Sequence, residues 1–192
     1  AHNLALRGLA AAKHNPRRVI ISSVEHPSVV GPAERLAQEG CRMDRLRVSP
    51  EGVVDVEHLQ QLLADDANGG TNCTVSVMLG NNETGVLQPV AQIAEACRQS
   101  RANGKCVPLH TDAVQVAGKL PVNFRELGVD AMTVTAHKFH GPRGIGALIV
   151  RHGVTIEPLL RGGFQQGGLR PGTEDVALAV GMFTALDAWQ LE

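Results

Sequence analysis

At 192 residues the chain is long enough to bury a core in one domain, or in one domain and part of another. Its 18 basic and 19 acidic side chains leave a formal net charge of −1, which argues against a nucleic-acid or membrane-surface partner. Aromatic residues are 3% of the chain, too few for a base-stacking platform, and no apolar run is long enough to span a bilayer.

The first residues carry a helical pattern in Leu4, Leu6 and Leu9. The run 19–24 predicts a strand. Ser28, after Pro27, is expected to cap a helix that runs to about Glu39 and ends at Gly40. Residues 43–48 read as a strand, with Arg42, Arg45 and Arg47 interleaved as on an exposed strand face, and Ser49-Pro-Glu-Gly52 as a turn. A helix is expected over 56–64, carrying Leu59, Leu62 and Leu63, followed by a polar loop over 65–72. A strand over 75–79 ends on Gly80-Asn-Asn-Glu-Thr-Gly85, and a helix follows over 90–100. Strands are expected over 107–110, 131–135 and 145–150, the last two pairing without a helical crossover. A final helical pattern runs from Val176 to Trp189. Neither end reads as a domain boundary, so the chain is expected to be a piece of a longer protein.

The alternation of strands and helices implies an α/β domain with a mostly parallel, buried sheet. In such sheets ligands bind beyond the carboxyl ends of the strands. Asn82, His110, Asp112, His137 and Lys138 all fall at or just past expected strand ends. Five polar residues at one sheet edge are the main argument for a site.

Within 133–146 an apolar, β-branched run ends on His137-Lys138 and passes into a glycine-rich turn. An ammonium at the end of a buried strand is costly unless paired or deprotonated, and a deprotonated lysine amine adds to aldehydes. Asp112, beyond another apolar run, supplies a carboxylate. A lysine for an aldehyde and a carboxylate for a ring nitrogen together point to pyridoxal phosphate. His26 is placed to stack on the ring, Gln115 to meet its hydroxyl, and Thr135 and His137 to meet the phosphate. Each has a plainer reading: a helix cap for Asp112, a strand residue for Thr135, a surface residue for Gln115. A rival reading takes His110-x-Asp112 and His137-x-x-His140 as metal ligands, but the second pair lacks the i, i+4 spacing that points two imidazoles at one ion.

The chain resembles the cysteine desulfurase and selenocysteine lyase family, a branch of the fold-type I pyridoxal phosphate enzymes. The motifs that carry the likeness are Val24-Glu-His26, Gly80-Asn-Asn-Glu-Thr-Gly85, His110-Thr-Asp-Ala-Val-Gln115, Ala136-His-Lys-Phe-His-Gly-Pro142 with Gly144-Ile-Gly146, and Arg170-Pro-Gly-Thr-Glu174. The resemblance implies that residues 1–192 are part of the large, cofactor-binding domain. It implies Lys138 as the cofactor lysine and α-carbon base, Asp112 on the pyridine nitrogen, Gln115 on the ring hydroxyl and His26 over the ring. Asn82 falls near the ring hydroxyl and substrate carboxylate, Thr135 and His137 on the phosphate, and Thr173 on the phosphate of a neighbouring subunit. The run Gly162–Gly168 departs from the family pattern at Phe164 and Gln166.

The implied reaction converts L-cysteine, or L-selenocysteine, to alanine and leaves an enzyme persulfide for a sulfur-acceptor protein. A cytoplasmic homodimer is expected. Alternatives are another fold-type I lyase or aminotransferase, or a non-catalytic scaffold of the same fold. None of Cys41, Cys73, Cys97 and Cys106 sits in a C-x-x-C pair. The persulfide thiol is expected beyond Glu192, with Cys73, in the polar loop, the most exposed of the four.

Overall fold

The computed structural model describes residues 1–11, 18–64 and 73–190. The polar loop expected over 65–72 lies outside the described residues. In chain order the elements are α1 (His2–Ala11), β1 (Arg18–Ser22), α2 (Pro27–Gln38), β2 (Arg42–Leu46), α3 (Val56–Ala64), β3 (Cys73–Ser76), α4 (Val90–Ala102), β4 (Leu109–Asp112), α5 (Phe124–Leu127), β5 (Ala131–Thr135), β6 (Gly146–Val150) and α6 (Val176–Gln190). One sheet runs in the order β2-β1-β3-β4-β5-β6. All its pairs are parallel except β5 with β6, which are antiparallel and joined without a helical crossover, as expected.

Both faces of the sheet are covered, which is why β1 reads as a continuous apolar run rather than an alternating one. Val19 and Ile21 pack with Leu6 and Ala10 of α1 and Val29, Ala33 and Leu36 of α2. Ile20 points the other way, into a cluster with Leu59 and Leu63 of α3 and Ile93 and Cys97 of α4. The strand order reverses between the paired neighbours β1 and β3, so the connections leaving their carboxyl ends run to opposite sides and leave a crevice beyond them.

Several expected boundaries shift. The cap of α2 is His26, not Ser28: Pro27 has no N–H to lose at the first helical position, and the Ser28 N–H donates to His26 Nδ1 at 3.1 Å. β4 begins at Leu109 rather than 107, because Pro108 has no N–H for the ladder. It therefore ends on Asp112, and His110 lies inside the strand. β3 ends at Ser76, although Val77 and Leu79 continue to donate to the carbonyls of His110 and Asp112. Cys73, expected in a polar loop, is the buried first residue of β3. The short α5 had no periodic signal. It is set by Asn123, whose Oδ1 accepts from Arg125 and Glu126 N–H groups, and by Gly128 in the left-handed region.

Candidate active site

The carboxyl ends of β1, β3, β4 and β5 line a cleft of about 660 Å³. His26, Asn82, Asp112, Gln115, Thr135, His137 and Lys138 all face it. Thr173 does not; it is exposed outside the cleft, whereas Arg170 of the same motif is part of the wall. His110 is the other exception. Its ring is fully buried in the sheet, with Nδ1 2.8 Å from Ser76 Oγ and Nε2 2.9 Å from Thr133 Oγ1. Burial pushes its pKa down to about 3, so the imidazole is neutral and both nitrogens are spent on neighbouring strands. That removes His110 from the sheet-edge group and from any metal pair with Asp112. His140 lies on a separate groove beside α6 and shares no cleft with His137.

Asp112 ends β4 with its side chain on the α1 side of the sheet. Its Oδ1 accepts from Val114 N–H at 2.9 Å, and its Oδ2 lies 3.2 Å from His2 Nε2. Burial alone raises the carboxyl pKa, but the His2 contact, the Val114 N–H and the charge field outweigh it, and the net shift is downward. The carboxylate is thus ionised although buried.

Lys138 closes a single 3₁₀ turn, Ala136–Lys138, directly after β5. It is half-buried rather than enclosed. Phe139 behind it is 2% exposed and anchors the turn in the core. His140 adopts φ 64, which turns the chain back towards Gly141. Thr135 Oγ1 donates to Ile145 carbonyl oxygen at 3.0 Å and lies 3.1 Å from His137 Nδ1, so a hydroxyl and an imidazole stand side by side on the wall.

His26 spends Nδ1 on the Ser28 N–H and hydroxyl, which leaves Nε2 to the cleft. Glu25 before it is buried; one oxygen accepts from Ser22 Oγ at 2.5 Å and from Met78 N–H at 2.8 Å, and Oε2 has no partner. Burial pushes its pKa up to about 8, so the carboxyl is neutral at pH 7. It ties the end of β1 to the segment after β3 and so sets His26 opposite Met78. Asn81 does similar work for its neighbour: Oδ1 accepts from Glu83 and Thr84 N–H groups, and Nδ2 donates to Val24 carbonyl oxygen. These contacts shape the turn that presents Asn82.

Sequence reasoning missed His2, Arg170 and the structural parts played by Glu25 and Asn81. Glu25 and Asn81 stood inside recognised motifs, but a lone histidine at the start of an amphipathic helix carries no signal that it will meet a carboxylate far along the chain. The glycine-rich run that departs from the family pattern forms an exposed loop, with Phe164 95% exposed and Gln166 at φ 52.

The aminotransferase class-V family matches residues 1–191. A cysteine desulfurase IscS from Dictyoglomus turgidum is 38% identical over 193 residues, covering 100% of this chain and 46% of that protein. The cysteine desulfurase NifS of Azotobacter vinelandii is 40% identical over 181 residues, covering 93% of this chain and 42% of that protein. A solved NifS-like protein superposes with a TM-score of 0.90 at 35% identity, over 100% of this chain and 50% of its own. The chain spans about half the length of the relatives it matches.

Proposed function

The chain belongs to the aminotransferase class-V family, and on that premise we propose that it forms the cofactor-binding centre of a pyridoxal phosphate enzyme that takes sulfur from L-cysteine. The observation that carries this reading is the pairing of Lys138 and Asp112 across one cleft: an amine on the turn after β5 and an ionised carboxylate at the end of β4.

The donor set fits the cofactor. The cleft has the size of a cofactor site. Lys138 Nζ would bind the aldehyde carbon, Asp112 the pyridine nitrogen and Gln115 the ring hydroxyl. Thr135, His137 and the backbone at Gly144–Gly146 would take the phosphate. Bound there, pyridoxal phosphate supplies an electron sink for the charge that develops at the substrate α-carbon. Asp112 keeps the proton on the pyridine nitrogen by opposite-charge stabilisation. Lys138 Nζ receives the proton from the substrate α-carbon. His26 is fixed by its cap to Ser28, so its Nε2 can cover the ring and carry a proton without losing orientation. Asn82, exposed on the cleft, would hold the substrate carboxylate.

The overall change is cysteine plus an enzyme thiol giving alanine plus an enzyme persulfide. Cys41, Cys73 and Cys106 sit at the amino ends of β2, β3 and β4, on the sheet edge opposite the cleft, and Cys97 is buried on α4. The accepting thiol therefore belongs to another part of the protein. The proposal extends to a cytoplasmic homodimer in which Thr173, exposed outside the cleft, meets the partner's phosphate, and to a protein that receives the sulfur. Selenocysteine in place of cysteine would use the same groups.

Borohydride reduction of the full-length protein, followed by peptide mapping, tests the reading. A pyridoxyl group on Lys138 is the expected result; its absence, or its presence on another lysine, overturns the assignment.

A further inference from the structure

We propose that His2 is a positioning residue for Asp112, its ring standing against the carboxylate and aiming it into the cleft where the pyridine nitrogen would meet it. This rests on the reading of the cleft as a pyridoxal phosphate site.

His2 opens α1, and its side chain is 12% exposed. Its Nε2 lies 3.2 Å from Asp112 Oδ2. The ring is not free to drift. Its centroid stands 5.7 Å from that of His110, with the two planes at 78°, an edge-to-face contact. His110 is itself fixed between Ser76 and Thr133, so an immobile ring sets the angle of a second ring, which sets the carboxylate.

The carboxylate has room for both partners. An ionised Asp offers about four lone-pair sites. Val114 N–H takes one on Oδ1, and His2 Nε2 stands 3.2 Å from Oδ2 without a hydrogen bond of good geometry, leaving acceptor capacity towards the cleft.

A neighbouring carboxyl shows what happens without such a contact. Glu25 is buried close enough for its charge and that of Asp112 to oppose each other. Among the described residues Glu25 has no ion-pair partner; it leaves Oε2 unpartnered and is neutral. Asp112 has an imidazole and is ionised. Two adjacent buried carboxyls are thus driven to opposite protonation states, the usual mark of divided chemical roles. A neutral Asp112 could not stabilise a pyridinium. The His2 contact is one of the differences between them, beside the deeper burial of Glu25 and the Val114 N–H on Asp112.

The test uses the full-length protein loaded with 15N-pyridoxal phosphate. His2→Phe keeps the edge contact with His110 and removes both nitrogens; His2→Asn keeps a donor. We expect His2→Phe to weaken cofactor binding roughly tenfold, the scale of about one pKa unit of lost interaction with the carboxylate. The pyridine 15N resonance should also move towards its unprotonated position. His2→Asn should retain most of both properties. In an Asp112→Asn background, His2→Phe should add less than about twofold, because the effect runs through that carboxylate. If His2→Phe does not fold, His2→Leu takes its place, with the His2→Asn comparison unchanged. An unmoved resonance and affinity in the nitrogen-free variants overturn the proposal while leaving the cofactor site intact, as does an equal loss in the Asp112→Asn background. An unsubstituted protein that traps no cofactor on Lys138 overturns the proposal together with the reading beneath it.

Discussion

Gly118 and Phe139 approach so closely that a β-carbon on Gly118 would lie 2.2 Å from Phe139 Cβ. Phe139 directly follows Lys138, so this contact seats the lysine turn against the segment that follows Asp112 and carries Gln115. Gly118 also has φ +73, a conformation that L side chains adopt at a cost. Gly118→Ala therefore combines backbone strain with a clash against a buried ring. We expect a loss of about 2–4 kcal/mol in urea unfolding and a lower fraction of protein trapped by cofactor on Lys138. An unchanged midpoint would mean that the two segments are not packed this way.

Asp112→Asn keeps an oxygen for Val114 N–H but loses the charge facing His2, so the apo-protein's unfolding midpoint at neutral pH should fall modestly while the fold survives. A neutral amide cannot keep a pyridine nitrogen protonated. Cofactor binding should survive in part, while exchange of the substrate α-proton falls by orders of magnitude. Near-normal exchange at full cofactor occupancy would reduce Asp112 to a turn cap.

Glu25 makes stability depend on pH in an unusual direction. Its pKa rises from 4.5 to about 8 on folding, so between those values the folded protein keeps a proton that the unfolded chain has released. Stability from this group is full below 4.5 and is lost as pH rises towards 8. His110 acts oppositely between about 3 and 6.5, where the unfolded imidazole takes up a proton that the folded one refuses. Glu25→Gln supplies an oxygen for Ser22 and Met78 without titrating. Subtracting its denaturation midpoints from those of the unsubstituted protein should isolate a downward slope over the Glu25 window. A flat difference curve would place the charged form in the fold.

Replacing Cys41, Cys73 and Cys97 with alanine and Cys106 with serine, in the full-length protein, should leave persulfide formation intact. Cys97 is pushed up to about 12 by burial, a poor nucleophile, and Cys106 is the only one of the four that is not buried. A variant that folds and loads cofactor yet forms no persulfide would point to Cys106 first, not to Cys73.

Much of the site was legible before any fold was known, because strand ends in a parallel sheet converge by topology. Once His26, Asn82, Asp112 and Lys138 were placed after four apolar runs, their common edge followed. His110 was misplaced for a local reason. The strand begins at Leu109, after Pro108, and pairs with β5 as far as Asp112, which places the histidine inside the ladder rather than at its edge. Cys73 lies in the core rather than a loop because β3 begins at Cys73, ahead of the apolar run from Val75.

The sequence by itself determined the α/β alternation, the lysine turn and the residues of the cleft, since these depend on hydrophobic period, proline and glycine placement and local chemistry. Tertiary structure alone decided protonation and orientation. Glu25 and Asp112 are both acidic residues near strand ends, and nothing in their immediate sequence distinguishes a buried neutral carboxyl from a buried charged one. The difference comes from the deeper burial of Glu25 and from contacts such as His2, which reaches Asp112 across 110 positions of chain because α1 starts beside the end of β4. A pKa is set by burial and by charges close in space, and neither is a property of neighbours in sequence.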